Sequence, residues 1–314
     1  MKILKGCFML LAMAGVSTSS FAQSQELQIS PLRFAGVHAI SPQAGQSRAY
    51  MVLHGAGGGN WNFNLFADDL ANLNQGTIEA PRHSFFNTLT TSGNYTLLNF
   101  AVNALNPSLT YVVMDPMGNE IARRTHQDVP MLRRGEQFFP TVFAHPEEGF
   151  LIAQTIKNGR NAGYTLSHVT PNLDENWSIS FFATRGHAHV YDMVAGDDKI
   201  FILEANERLN RTQNTRIHCL DAKTGKHIYT QELKDNTSSF FPTALLPLED
   251  GSIAMAGTYF NGTRINSKNT RGIFFMTLDG SGSTMALQTQ SWKLLRPVMR
   301  TSVPDWFFKV MPDV

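Results

Sequence analysis

His187 and His189 stand two apart in Gly186-His187-Ala188-His189-Val190. On a strand that spacing puts both imidazoles on one face, where both could reach one metal ion. The sequence supplies no third ligand beside them, so they are read as ordinary histidines at the junction of two repeats. Asp192, Asp197 and Asp198 follow without the spacing of a calcium loop and are read as turn residues. Cys219 has no Cys–His context, and its place in the alternating run Ile217–Leu220 predicts a buried, inert thiol. These patterns assign no catalytic residue, no metal and no cofactor.

A second pattern points to binding. Three polar, basic, Asn-rich stretches recur: Lys157-Asn158-Gly159-Arg160-Asn161, Arg208 to Arg216, and Asn261 to Asn269. Each is expected to be the loop between the second and third strands of a repeat. Equivalent loops of a repeat protein emerge on one face, usually the binding face. Lys157, Arg160, Arg208, Arg211, Arg216, Arg264 and Lys268 are the candidate ligand-binding residues. Guanidinium forks and amides suit carboxylated or hydroxylated ligands. The expected partner is an acidic polysaccharide or another envelope protein.

The elements that would carry these residues are set by an internal repeat. Phe138-Phe139-Pro140-Thr141 returns as Phe240-Phe241-Pro242-Thr243, and the step from 138 to 240 is 102 residues. Val190-Tyr191-Asp192-Met193 lies halfway, which gives a period of about 51, in the range of kelch-type propeller blades. Each period holds four short runs rich in Phe, Tyr, Ile, Val and Thr, separated by turns such as Glu249-Asp250-Gly251 and Asp279-Gly280-Ser281-Gly282. The expected fold is all-β: a β-propeller of four-stranded blades spanning roughly 30–84, 85–137, 138–188, 189–238 and 239–292. Trp306-Phe307-Phe308 repeats the opening of a blade, so the ring is expected to be incomplete at the C-terminus. The alternative is that this last segment closes five blades.

The run Gly251 to Thr258, followed by Phe274-Phe275-Met276-Thr277-Leu278-Asp279-Gly280-Ser281-Gly282, resembles the repeat of secreted bacterial β-propellers. Cys219-Leu220-Asp221-Ala222-Lys223-Thr224-Gly225-Lys226 is similar to the quinoprotein-type propeller repeat, although Tyr229 stands where that family usually has Trp. The resemblance implies the architecture and no defined activity, because propellers host many functions. Tyr50-Met51-Val52-Leu53-His54-Gly55-Ala56-Gly57-Gly58-Gly59 resembles the strand and oxyanion loop of α/β-hydrolases. That chemistry needs a Gly-x-Ser-x-Gly nucleophile elbow, which the chain does not contain. The segment is therefore expected to be a Gly-rich link between two strands.

Residues 1–22 read as a signal peptide: Lys2 and Lys5 flank a short apolar run, and Ser20-Phe21-Ala22 forms a cleavage site. Residues 23–314 are the expected mature domain. Removing Lys2 and Lys5 turns a formal charge of +1 into −1, which excludes a dedicated nucleic-acid binder. Cys219 is the one cysteine left, so no internal disulfide forms. No later stretch is apolar enough for a transmembrane helix. The chain is expected to be exported in a Gram-negative host and to act as a non-catalytic binding module of the envelope. The rival is a propeller enzyme acting on glycans, a lyase or hydrolase with paired carboxylates in the central channel. An esterase suggested by the His54 segment is a minor alternative.

Overall fold

The computed structural model describes residues 34–40, 49–102, 107–127, 129, 140–158, 161–183, 186–207, 212–262 and 265–294. The expected signal peptide and residues 295–314 lie outside them. The first sheet runs β1 (Phe34–Ile40), β2 (Ala49–Gly57), β3 (Asn60–Ala67) and β4 (Asn72–Glu79). The second is β5 (Phe85–Ser92), β6 (Tyr95–Val102), β7 (Ser108–Met114) and β8 (Glu120–Gln127). The third is β9 (Thr141–Ala144), β10 (Phe150–Asn158), β11 (Asn161–Val169) and β12 (Glu175–Phe182). The fourth is β13 (His187–Ala195), β14 (Lys199–Glu207), β15 (Thr212–Asp221) and β16 (His227–Glu232). The fifth is β17 (Ser238–Pro247), β18 (Ile253–Asn261), β19 (Thr270–Leu278) and β20 (Thr284–Ser291).

Every sheet is an antiparallel meander in chain order, and a single parallel bridge, Ala162 to His187, joins the third to the fourth. Middle strands such as β7 and β14 are buried on both faces along almost their whole length, whereas β8 and β12 are mostly exposed with half-buried positions between. First strands lie against one another, β1 on β5, β5 on β9 and β13 on β17. Four apolar clusters fill the spaces between successive sheets. Leu53 and Phe63 meet Phe100 and Val112; Tyr111 and Val113 meet Phe150 and Leu173. Leu151 and Leu166 meet Ile200 and Ile202; Phe201 and Cys219 meet Met255 and Phe274. This is the packing of a β-propeller, with four-stranded blades of about fifty residues, first strands innermost and fourth strands outermost.

The repeat extends to backbone detail. The pairing of third with fourth strands shifts register at Leu65/Phe66, Val113/Met114, His168/Val169, Cys219/Leu220 and Thr277/Leu278. Each shift is a bulge beside a turn that carries one left-handed residue: Leu70, Gly118, Leu173, Gly225 and Gly282. Three of the turns also grip the preceding sheet. A Cβ at Gly118 would fall 2.7 Å from the Phe63 ring and one at Gly282 2.5 Å from Tyr229. One at Gly225 would overlap Trp177 more closely still. The Ala222 carbonyl in the Gly225 turn accepts hydrogen bonds from Trp177 Nε1 (3.2 Å) and His145 Nε2 (2.9 Å), both from the third sheet.

Candidate functional site

Because the strands are antiparallel, the turns joining first to second and third to fourth strands share one end of the propeller. The connections between second and third strands share the other. The first end holds a cleft between the second and third sheets, with a volume of about 460 Å³, within the usual size of a ligand site. Its walls include Tyr95 at the start of β6, Glu147 and Glu148 in the β9–β10 turn, His168 at the end of β11, Asn172 in the next turn and Asn176 on β12.

One lining residue, His168, stacks on the imidazole of buried His145. His145 and His168 lie with ring centroids 3.7 Å apart and planes inclined by 6°. His145 Nδ1 accepts from the Glu147 amide (3.3 Å) while Nε2 donates to the Ala222 carbonyl (2.9 Å). His168 Nε2 donates to the Glu148 carbonyl (2.9 Å) and Nδ1 accepts from Asn176 (3.4 Å). Burial holds the His168 imidazole below the ordinary histidine range, which favours its neutral form. Both rings thus use their polar atoms on the protein. Tyr95, the Asn172 amide and the two carboxylates remain as the groups lining the open side.

At the opposite end the basic residues are placed as follows. Lys157 is exposed near the end of β10, and Lys268 is exposed in a short 3₁₀ turn, Ser267–Asn269, inside the β18–β19 connection. Arg160, Arg208, Arg211 and Arg264 lie outside the described residues. Arg216 is not in a loop: β15 starts at Thr212, because the polar run pairs with β14 well beyond its apolar part. Its guanidinium reaches Glu232 at 3.0 Å and Glu204 at 3.7 Å. Glu204, buried between the third and fourth sheets, also takes His218 Nε2 at 3.0 Å. The hydroxyl of buried Tyr164 belongs to this cluster, and desolvation, then the Glu204 charge, keeps it from ionising.

The histidine pair gains a neighbour. His187 pairs directly with Glu207 across β13–β14, and His189 points to the same face. One ligand atom from each of the three side chains can be chosen so that all lie within 4.8 Å of one another. The His54 segment is the β2–β3 hairpin, with left-handed glycines at 57, 58 and 59, and no helix follows it. Among the described residues of the five first strands, Asp192 is the single carboxylate, and it accepts from the Met193 amide at 2.8 Å. Cys219 is buried, and desolvation pushes its thiol up to about 11.

A family model described as a family of unknown function (DUF6770) matches residues 89–296. No curated protein matches the chain. Among solved structures, a eukaryotic initiation factor aligns with TM-score 0.46 and 12% identity over 82% of this chain and 55% of that one. The β-propeller domain of the Trilobed protease from Pyrococcus furiosus aligns with TM-score 0.40 and 13% identity over 65% and 58%. A GH43 β-1,3-galactosidase with galactodeoxynojirimycin aligns with TM-score 0.40 and 11% identity over 78% and 92%. The chain spans a little more than half the length of the first two.

Proposed function

The chain belongs to DUF6770, a family of unknown function, and we propose that it is an exported, non-catalytic module that binds a hydroxylated ligand of the saccharide class in the cleft of the second and third sheets. The observation that carries this reading is the commitment of the cleft residue His168, and of His145 stacked on it, to the protein. His168, held below the ordinary histidine range by burial, and His145 stacked on it both spend their two ring nitrogens on bonds to the protein, which leaves neither in a position to shuttle protons. The half-buried Tyr95 ring, the Asn172 amide and the Glu147 and Glu148 carboxylates offer an apolar face with donors and acceptors beside it. Two carboxylates make a neutral or aminated sugar a better fit than an acidic one. The kelch- or quinoprotein-like repeat supports the architecture of this module without adding a cofactor.

Calorimetric titration with neutral, amino and acidic oligosaccharides tests it. A neutral sugar should bind with little dependence on salt and an amino sugar with some, and Asn172→Ala or Tyr95→Ala should weaken either about ten-fold or more, the effect of about 1.4 kcal/mol of lost contact. Salt-sensitive binding of an acidic polysaccharide, lost in a Lys157→Ser/Lys268→Ser variant and untouched by Asn172→Ala, would move the function to the basic end. For export, mass spectrometry of the protein secreted from a Gram-negative host should give Gln23 as the first residue; retention of residues 1–22 would refute it.

A further inference from the structure

We propose that His187, His189 and Glu207 form a binding site for a divalent transition-metal ion of the zinc class, at the end of the propeller opposite the saccharide cleft. The site is made by one hairpin. Bending the chain around Asp197 brings Glu207, the last residue of β14, directly opposite His187, the first of β13. A two-residue step then puts His189 on the same face, turned away from the Ala188 and Val190 side that packs on the third sheet. All three side chains are largely enclosed, with side-chain exposures of 10%, 16% and 26%.

The distances favour a metal over plain ion pairing. His187 Nε2 lies 3.4 Å from one Glu207 oxygen, and His189 Nε2 lies 3.9 Å from the other. Charge-assisted hydrogen bonds would draw these atoms to about 2.7–2.9 Å. Ligands around a tetrahedral zinc, with bonds of about 2.0–2.1 Å, stand about 3.3 Å apart. One ligand atom from each residue lies within 4.8 Å of the other two, so side-chain rotations that close this spacing would bring all three to one ion. Two imidazoles and a carboxylate select zinc, cobalt or nickel over calcium and magnesium, which require more oxygens. Three protein ligands leave a fourth position for water or an exogenous ligand.

The test uses the whole secreted chain, stripped with EDTA and titrated with Zn²⁺ by calorimetry and with Co²⁺ by visible absorption. One ion per chain is expected. His189→Ala and Glu207→Gln should each weaken binding by more than the about 10–100-fold typical of outer-shell changes. Circular dichroism and cooperative unfolding of both variants, expected to match the parent, tell a lost site from a lost fold. If His187→Ala fails to fold, these two variants alone decide the matter. Absence of saturable binding, or parental affinity in the His189→Ala/Glu207→Gln double variant, would overturn the site. Saccharide titration of the same variants should be unchanged, which keeps this outcome separate from that of the cleft.

Discussion

Replacing Gly225 by alanine should destabilise the propeller through two separable costs. Gly225 has φ +67°, so any L side chain there enters the left-handed region, at about 1–2 kcal/mol. Its Cβ would also overlap the Trp177 ring of the preceding sheet, and forcing atoms into such a contact costs about 1–3 kcal/mol. The expected loss is about 2–5 kcal/mol in urea unfolding. Gly93→Ala is the control: φ is +54° and nothing lies within 4 Å of the added methyl, so it carries the backbone cost alone, about 1–2 kcal/mol. A double-mutant cycle with Trp177→Ala isolates the contact. In that background Gly225→Ala should fall to the Gly93→Ala value, with a coupling of about 1–3 kcal/mol. Equal losses for Gly225→Ala and Gly93→Ala, or additivity with Trp177→Ala, would refute the view that the turn is latched onto the neighbouring sheet.

Three further outcomes follow from buried groups. Cys219, with its thiol pushed up to about 11, should resist alkylation in the native protein at pH 8 and react on unfolding; rapid native labelling would contradict its burial. Glu204→Gln should cost about 3–5 kcal/mol, since it removes the charge between Arg216 and His218, and a loss under about 1 kcal/mol in urea unfolding would show the cluster to be dispensable. His168 is held below its ordinary value, so the unfolded chain takes up its proton first. Its contribution to stability should be present above about pH 6.5 and fade as pH falls below it, and His168→Gln should flatten that part of the pH profile of the urea midpoint.

The fold was legible because its turns are chemical. Asp-led turns and the 102-residue recurrence locate blades without any knowledge of packing. The polar ends of strands were not legible. Thr212 to Arg216 carries no apolar alternation, yet pairing with β14 draws it into β15, and Arg216 becomes a buried cluster's counter-charge. Glu207 had one available signal: it stands as far after Asp197 as His187 stands before it, so a hairpin about that turn makes them partners. The cleft had none, since Tyr95, Glu148 and Asn172 come from two sheets and meet only through inter-sheet packing.

The antiparallel meander also insulates the two ends of the molecule from each other. A nine-residue strand such as β14 rises about 3.3 Å per residue, which sets the ends roughly 25–30 Å apart. At that range two unit charges interact by only about 0.2 kcal/mol in water, and salt with a screening length of about 8 Å removes most of it. Charges near Glu147 and charges near Glu207 therefore do not sense each other through solvent. Any crosstalk between the poles has to be mechanical, carried along the packed strands of the third and fourth sheets, so substitutions at opposite poles should combine additively unless one of them shifts a strand.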